Sequence, residues 1–217
     1  MIRRLILLRH GQTEYNATDR MQGQLDTDLT ELGRTQAKTA ATELATREPI
    51  RIVSSDLKRA LDTAVALGDA AQVPVTTDER LRETHLGQWQ GLTHTEVDAI
   101  APGARPAWRA DATIAPPGGE SRLDVAARSV PLVRELLSSV PEWGADGSAQ
   151  PVVLVAHGGL IAALTAALLD LPTDRWPVLG GLANTSWVQL GAHGAGDAPS
   201  WRLDVWNASA RVASDVL

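Results

Sequence analysis

Cysteine and phenylalanine are absent from the 217 residues, lysine occurs only at 38 and 58, and no apolar run approaches the length of a membrane span. Without cysteine there is no disulfide framework and no thiolate metal or redox site. The chain must be held by its core, which fits a cytoplasmic setting. Residues 1–8 carry two arginines and a short apolar run followed at once by charge, so neither a signal peptide nor a spanning helix is expected there. The longest later apolar stretch, residues 160–169, is about half of a span. A formal net charge of -6 disfavours nucleic acid and anionic membranes as partners, so any phosphate-binding cations must be gathered locally. Seven tryptophans accompany the missing phenylalanines, and neither oddity carries a mechanism.

There is no internal repeat and no long low-complexity tract, so a single domain over residues 1–217 is expected. Short β-branched or apolar runs at 4–9, 50–54, 73–77, 152–157, 186–190 and 203–206 alternate with helical patterns. This predicts an α/β fold, a mostly parallel central sheet with helices on both faces. Helices are expected over 30–46, capped by Thr30, and over 57–71, capped by Asp56. Thr93 with Glu96 and Ser121 with Asp124 have capping-box spacing, and Pro131 should kink or interrupt the helix that Ser121 opens. Residues 101–119, containing proline and glycine, read as a long excursion of the kind that forms lids or binding loops. Residues 144–150 and 191–199 read as surface loops.

Leu8-Arg9-His10-Gly11 lies where an apolar strand ends, so a cation and an imidazole reach the carboxyl edge of the sheet, where open α/β folds bind ligands. Gly11 is expected to let the backbone turn sharply beneath a ligand. Alone, the pair reads as a surface arginine and a core histidine. Two further strand ends change that reading. Ile52-Val53-Ser54-Ser55-Asp56-Leu57-Lys58-Arg59 puts Arg59 in the first turn of a helix, and Val155-Ala156-His157-Gly158-Gly159 ends a third strand and opens a third helix. Arg9, His10, Arg59 and His157 are thereby directed to one edge, where two guanidiniums and helix N-termini can hold a dianionic phosphate. Neutral imidazole is a competent nucleophile toward phosphorus, and nearby fixed positive charge helps keep it neutral. An acid for the leaving oxygen is still required. Glu83 is the candidate, with His85 as an alternative and a surface salt bridge as the bland reading of Glu83; spacing does not separate them.

Leu8-Arg9-His10-Gly11 with Asn16, Ser54-Ser55-x-Leu57-x-Arg59-Ala60, Arg82-Glu83 with the glycines that follow, and His157-Gly158 together resemble the histidine phosphatase superfamily, which has the phosphoglycerate mutase-like fold. The resemblance spans nearly the whole chain. It implies a metal-independent phosphomonoester hydrolase without a cofactor, working on a small-molecule phosphate ester. It further implies that His10 is phosphorylated, that Arg9, Arg59 and His157 hold the phosphate, and that Glu83 donates the proton. Asn16, the Gln22-Gly23 turn and Gly158 would lie on the substrate side, and a homodimer is suggested. Mutases of the family usually have arginine and tyrosine where this chain has Thr84 and Leu86, and asparagine at the place of Gly159. These departures favour hydrolysis over mutase chemistry. Two other classes are weighed: a metal-dependent hydrolase using His10, His85, His94 and His157, for which the spacing of a helical metal motif is missing, and a phosphate-binding module without turnover.

Overall fold

A computed structural model describes residues 2–210 apart from 148, 195 and 197. Six strands, β1 (Ile2–Arg9), β2 (Arg51–Ser54), β3 (Val75–Thr77), β4 (Val152–Ala156), β5 (Trp187–His193) and β6 (Ser200–Ala208), form one sheet in the order β3-β2-β4-β1-β5-β6. β3, β2, β4 and β1 run parallel, while β5 is antiparallel to β1 and to β6. The helices are α1 (Glu14–Ala17), α2 (Glu31–Ala45), α3 (Lys58–Ala71), α4 (His94–Ile100), α5 (Ala104–Ala110), α6 (Arg122–Ser139) and α7 (Gly158–Leu168).

The central strands are apolar on both faces because both are covered. Leu5 and Leu7 of β1 and Val152 and Leu154 of β4 pack with Val125, Val133, Leu136 and Leu137 of α6 and Leu160, Ile161 and Leu164 of α7. Ile6 and Leu8, with Val153 and Val155, meet Ala40, Ala41 and Leu44 of α2 and Ala60, Ala64 and Leu67 of α3. Alternation along the strand therefore builds the three layers expected. A third, smaller cluster of Met21, Leu86, Trp89 and Val97, with Trp108 against it, forms a roof beside the carboxyl ends of the strands. Among the described residues no helix is long and apolar enough to cross a membrane.

Several local expectations change. Asp56 does not cap α3: the N-cap is Leu57, which offers no side-chain bond, because the Asp56 carboxylate is held by Arg82 Nε at 2.8 Å. Pro131 does not interrupt α6, which runs for 18 residues through it. The proline removes one helical hydrogen bond, and the flanking Ser129, Leu132 and Val133 are buried and hold the helix on the sheet. The 101–119 excursion contains α5, β5 extends to His193 so that the loop after it is shorter than 191–199, and residues 145–147 form a 3-10 turn. Gly11 is not in the left-handed region. Its missing side chain instead admits α2, since a Cβ there would lie 2.4 Å from the carbonyl oxygen of Gly33.

Candidate active site

The register fixes the site. Arg9 of β1 pairs with Ala156 of β4, and Val155 of β4 pairs with Ser54 of β2. One residue further on, the chain turns away from each strand, and His10, Ser55 and His157 emerge side by side. His10 N–H donates to Ala156 O at 3.1 Å and Ser55 N–H to Val155 O at 2.9 Å. The two imidazole centroids stand 5.1 Å apart at an interplanar angle of 58°.

His10 is buried, with Nδ1 2.7 Å from Gly11 O and Nε2 3.3 Å from Arg59 Nε. A carbonyl only accepts, so Nδ1 carries the proton and Nε2 carries the lone pair. Burial, then the charges of Arg59 and Arg9, hold the His10 pKa well below the usual histidine value. The ring is therefore neutral at physiological pH. Asn184 Nδ2 and Thr185 N–H donate to His10 O at 3.1 and 3.2 Å, fixing the backbone under the ring.

Arg59, in the first turn of α3, is buried, and its guanidinium donates to Leu25 O and Gly23 O at 2.8 Å each. Burial lowers its pKa to about 10, so it remains a cation. Arg9 donates through Nη1 to Leu182 O, while its Nε is buried with no hydrogen-bond partner among the described residues. His157, the N-cap of α7, places Nε2 2.9 Å from Ser55 Oγ, and its Nδ1 is likewise buried without a partner. Burial followed by Arg59 keeps His157 neutral too. Ser55 Oγ also accepts from Leu57 N–H at 3.3 Å; with the Ser55 hydroxyl donating to Nε2, the proton of the neutral His157 ring sits on Nδ1 and is an unused donor. Two guanidiniums, one with its Nε–H unpaired among the described residues, and the unpaired Nδ1 of His157 surround the His10 ring, an environment that an oxyanion satisfies.

Glu83 closes the opposite side. Its Oε1 accepts from Thr84 N–H at 2.7 Å and Leu160 N–H at 2.9 Å, and its Oε2 accepts from Gly159 N–H at 3.0 Å. The carboxyl group thus sits on the N-terminus of α7, where the orphan amides of a helix favour it. Gly159 makes this approach possible, since a Cβ there would come within 2.6 Å of Glu83 Oε1. The backbone carbonyl of Glu83 is held by Gln24 Nε2 and Arg128 Nη2, each at 3.0 Å. Arg128 also donates to Arg80 O and pairs with Glu120, whose Oε2 accepts from His85 N–H.

These groups line a chamber of about 170 Å³ that brings together Arg9, His10, Asn16, Gln22, Gly23, Arg59 and Glu83, with Thr84, Leu86 and Trp108 on its wall. Asn16 is oriented by Asn184 Nδ2 at 3.1 Å, and Gln22 by Thr13 Oγ1 at 3.2 Å. His157 is fully buried beside His10 and is not among the residues that line the chamber's open surface. Gly158 lines an adjoining cavity of about 520 Å³ that shares Arg9, Glu83, Thr84, Trp108 and Gly159 with the chamber. His85 lines neither; its Nδ1 accepts from Gly87 N–H at 3.2 Å. A groove of about 600 Å³ between α2 and α3 is larger but carries no histidine, so size does not mark the chemistry here. Among the described residues no three His, Asp or Glu side chains converge as metal ligands.

Sequence reasoning did not single out Asn184, Arg128 or Trp108. Asn184 follows the Gly180-Gly181 pair in a coil that carries no periodic signal. Arg128 reads as an ordinary helix-surface cation, and only the tertiary placement of the Glu83 loop reveals its partners.

Comparison with known proteins points one way. Residues 5–209 match the histidine phosphatase superfamily (branch 1). A protein of Mycolicibacterium vanbaalenii named glucosyl-3-phosphoglycerate phosphatase is 69% identical, with 100% of this chain and 99% of that protein covered. A protein of the same name from Mycobacterium tuberculosis H37Rv is 67% identical, with 99% of each covered. The native crystal structure of a mycobacterial glucosyl-3-phosphoglycerate phosphatase is 66% identical, with a TM-score of 0.93 over 96% of this chain and 100% of that one.

Proposed function

Since the chain belongs to the histidine phosphatase superfamily, we propose that it is a metal-independent phosphomonoesterase that removes phosphate from glucosyl-3-phosphoglycerate, leaving glucosylglycerate, through a phosphohistidine at His10. The substrate assignment is supported by full-length relatives of that name at 67 to 69% identity. The observation that carries the chemistry is the neutral His10 ring, with the Nε2 lone pair set beside Arg59 and Arg9 in a chamber that Glu83 also lines.

In the first step the Nε2 lone pair of His10 forms a bond to phosphorus as the phosphorus–alkoxide bond breaks, and the Glu83 carboxyl proton passes to the departing oxygen. Oε2, which accepts only one backbone bond, has the open position for that proton. Arg9, Arg59 and the Nδ1–H of His157 take the phosphoryl oxygens and stabilise the charge they gather. In the second step water bonds to phosphorus, Glu83 accepts a proton from it, the nitrogen–phosphorus bond breaks, and the lone pair returns to Nε2. Asn16, Gln22, Gly23 and Gly158 border the rest of the substrate. The chain acts as a single cytoplasmic domain spanning residues 1–217 and as a homodimer, a state that light scattering on the purified protein tests directly.

Phosphate release should be measured from glucosyl-3-phosphoglycerate and from 3-phosphoglycerate with chelator present, beside an isomerisation assay. A higher kcat/KM for the glucosyl ester and no exchange between 2- and 3-phosphoglycerate are expected. Acid-labile, base-stable phosphate should be trapped on the wild type and not on His10→Ala. Equal specificity constants for the two esters refute the glucosyl assignment, and efficient isomerisation refutes hydrolysis as the main reaction.

A further inference from the structure

The 520 Å³ cavity that opens from the phosphate chamber is lined by Trp108, Arg109, Arg122 and His94 as well as the residues it shares with that chamber. Arg109 and Arg122 have no carboxylate partner among the described residues. Acids on the neighbouring helices and turns are committed elsewhere: Asp98 of α4 to Arg105, Asp111 to Thr113, and Asp124 and Glu135 of α6 to Ser121 and Arg80. Arg122 donates to the carbonyl of Arg109 at 3.2 Å, and its Cζ stands 5.8 Å from the centroid of the Trp108 ring.

Three features make this pair a poor structural choice. Arg122 is the first residue of α6, following the Ser121 cap, where the exposed amides of a helix already concentrate positive charge. It is partly buried, and both burial and the neighbouring Arg109 act against its charged form. Trp108 Nε1 is buried without an acceptor among the described residues, a second donor left open on the same wall. Two guanidiniums that repel one another, at a helix end that disfavours them, next to an unsatisfied indole N–H, are all relieved by one ligand: an anion with planar oxygens.

We propose that Arg109, Arg122 and Trp108 form a second anion subsite that binds the carboxylate of a phosphorylated hydroxy acid while the phosphate occupies the inner chamber. The proposal rests on the reading of the inner chamber as the phosphate site. It makes the enzyme selective for phosphate esters carrying a carboxylate, and it supplies from α5 and α6 the carboxylate grip that Thr84 does not provide. A charge-assisted hydrogen bond from a partly exposed guanidinium corresponds to about 10- to 100-fold in affinity.

The test compares 3-phosphoglycerate with glycerol 3-phosphate, which has the same skeleton with a hydroxymethyl in place of the carboxylate, and adds glucosyl-3-phosphoglycerate. The wild type should prefer the carboxylated ester. Arg122→Met, which keeps the apolar stem over Trp108, and Arg109→Ala should each lower the ratio of kcat/KM for 3-phosphoglycerate over glycerol 3-phosphate by about 10-fold or more, mainly through KM. Arg122→Lys should restore part of it. A wild type without preference, or variants that depress both esters equally, overturns the subsite and leaves the arginines as packing residues. If the ratios behave as expected while the wild type does not hydrolyse the glucosyl ester, the subsite stands and the glucosyl assignment falls.

Discussion

A single methyl group at residue 159 tests the placement of Glu83. A Cβ on Gly159 would lie 2.6 Å from Glu83 Oε1 and 2.8 Å from Thr84 Oγ1, so the carboxyl group must retreat by about 0.8 Å to reach ordinary contact at 3.4 Å. The bonds it receives from Gly159 N–H and Leu160 N–H, now 3.0 and 2.9 Å, then approach or pass the length at which a hydrogen bond is useful. A catalytic group displaced by nearly an ångström costs on the order of 100-fold in rate. The fold should tolerate the change, because alanine improves on glycine in a helix by up to about 1 kcal/mol, which offsets part of the lost carboxylate bonding. Gly159→Ala should therefore melt within a few degrees of the wild type. It should lose about 100-fold in kcat on an alkyl phosphate, whose leaving oxygen needs a proton, and at most about 10-fold in phosphoenzyme formation from an aryl phosphate. Rapid-quench kinetics on both esters, beside a thermal melt, give the three numbers. Full activity on the alkyl ester would refute the claim that the N-terminus of α7 positions Glu83, and an equal loss on both esters would refute its role in protonating the leaving group.

Two further outcomes follow from the site. His10 and His157 have folded pKa values well below 6.5, so as pH falls through 6.5 the unfolded chain binds protons that the native one does not, and stability drops. From pH 7 to 5.5 the pair should cost on the order of 2 kcal/mol, read as a fall in the urea midpoint; a midpoint unchanged over that range would refute the buried neutral pair. Arg128→Met removes the bonds to Arg80 O and Glu83 O and leaves Glu120 without its partner. A loss of about 2 to 4 kcal/mol in unfolding free energy with a lower kcat is expected, and Arg128→Lys should recover little because it cannot span the same acceptors.

The parts of the site legible in the sequence are those that strand ends dictate. Arg9, His10, Arg59 and His157 follow apolar runs whose pairing into a parallel sheet brings their strand ends to one edge, Arg9 lying opposite Ala156, the residue before His157. Glu83 was readable only as a candidate, because its place depends on where a non-repetitive segment crosses the first turn of α7. The capping role expected of Asp56 failed because a stronger partner, Arg82, reaches it from 26 residues away. At Pro131 the interruption did not occur: propensity speaks for a break, and burial of the surrounding turns overrides it. Within the 101–119 excursion, neither α5 nor the meeting of Trp108 with Arg122 had a local signal, since both depend on a roof assembled from Met21, Leu86, Trp89 and Val97.

The place of β1 in the sheet has a consequence for biosynthesis. It is made first, yet its neighbours β4 and β5 lie at residues 152–156 and 187–193. At common translation speeds the ribosome takes roughly 10 to 30 s to pass from one to the other. Through that interval Leu5–Leu8 has neither of its two partner strands, and four consecutive apolar residues stay without the pairing that buries them. An interrupted nascent chain ending before residue 150 contains His10, Arg59 and Glu83 but lacks Ala156 O, on which the His10 amide is seated, and the α7 amides that hold the Glu83 carboxyl group. The three strand ends that make the site are thus neighbours only once the fourth strand lies between the first and the second.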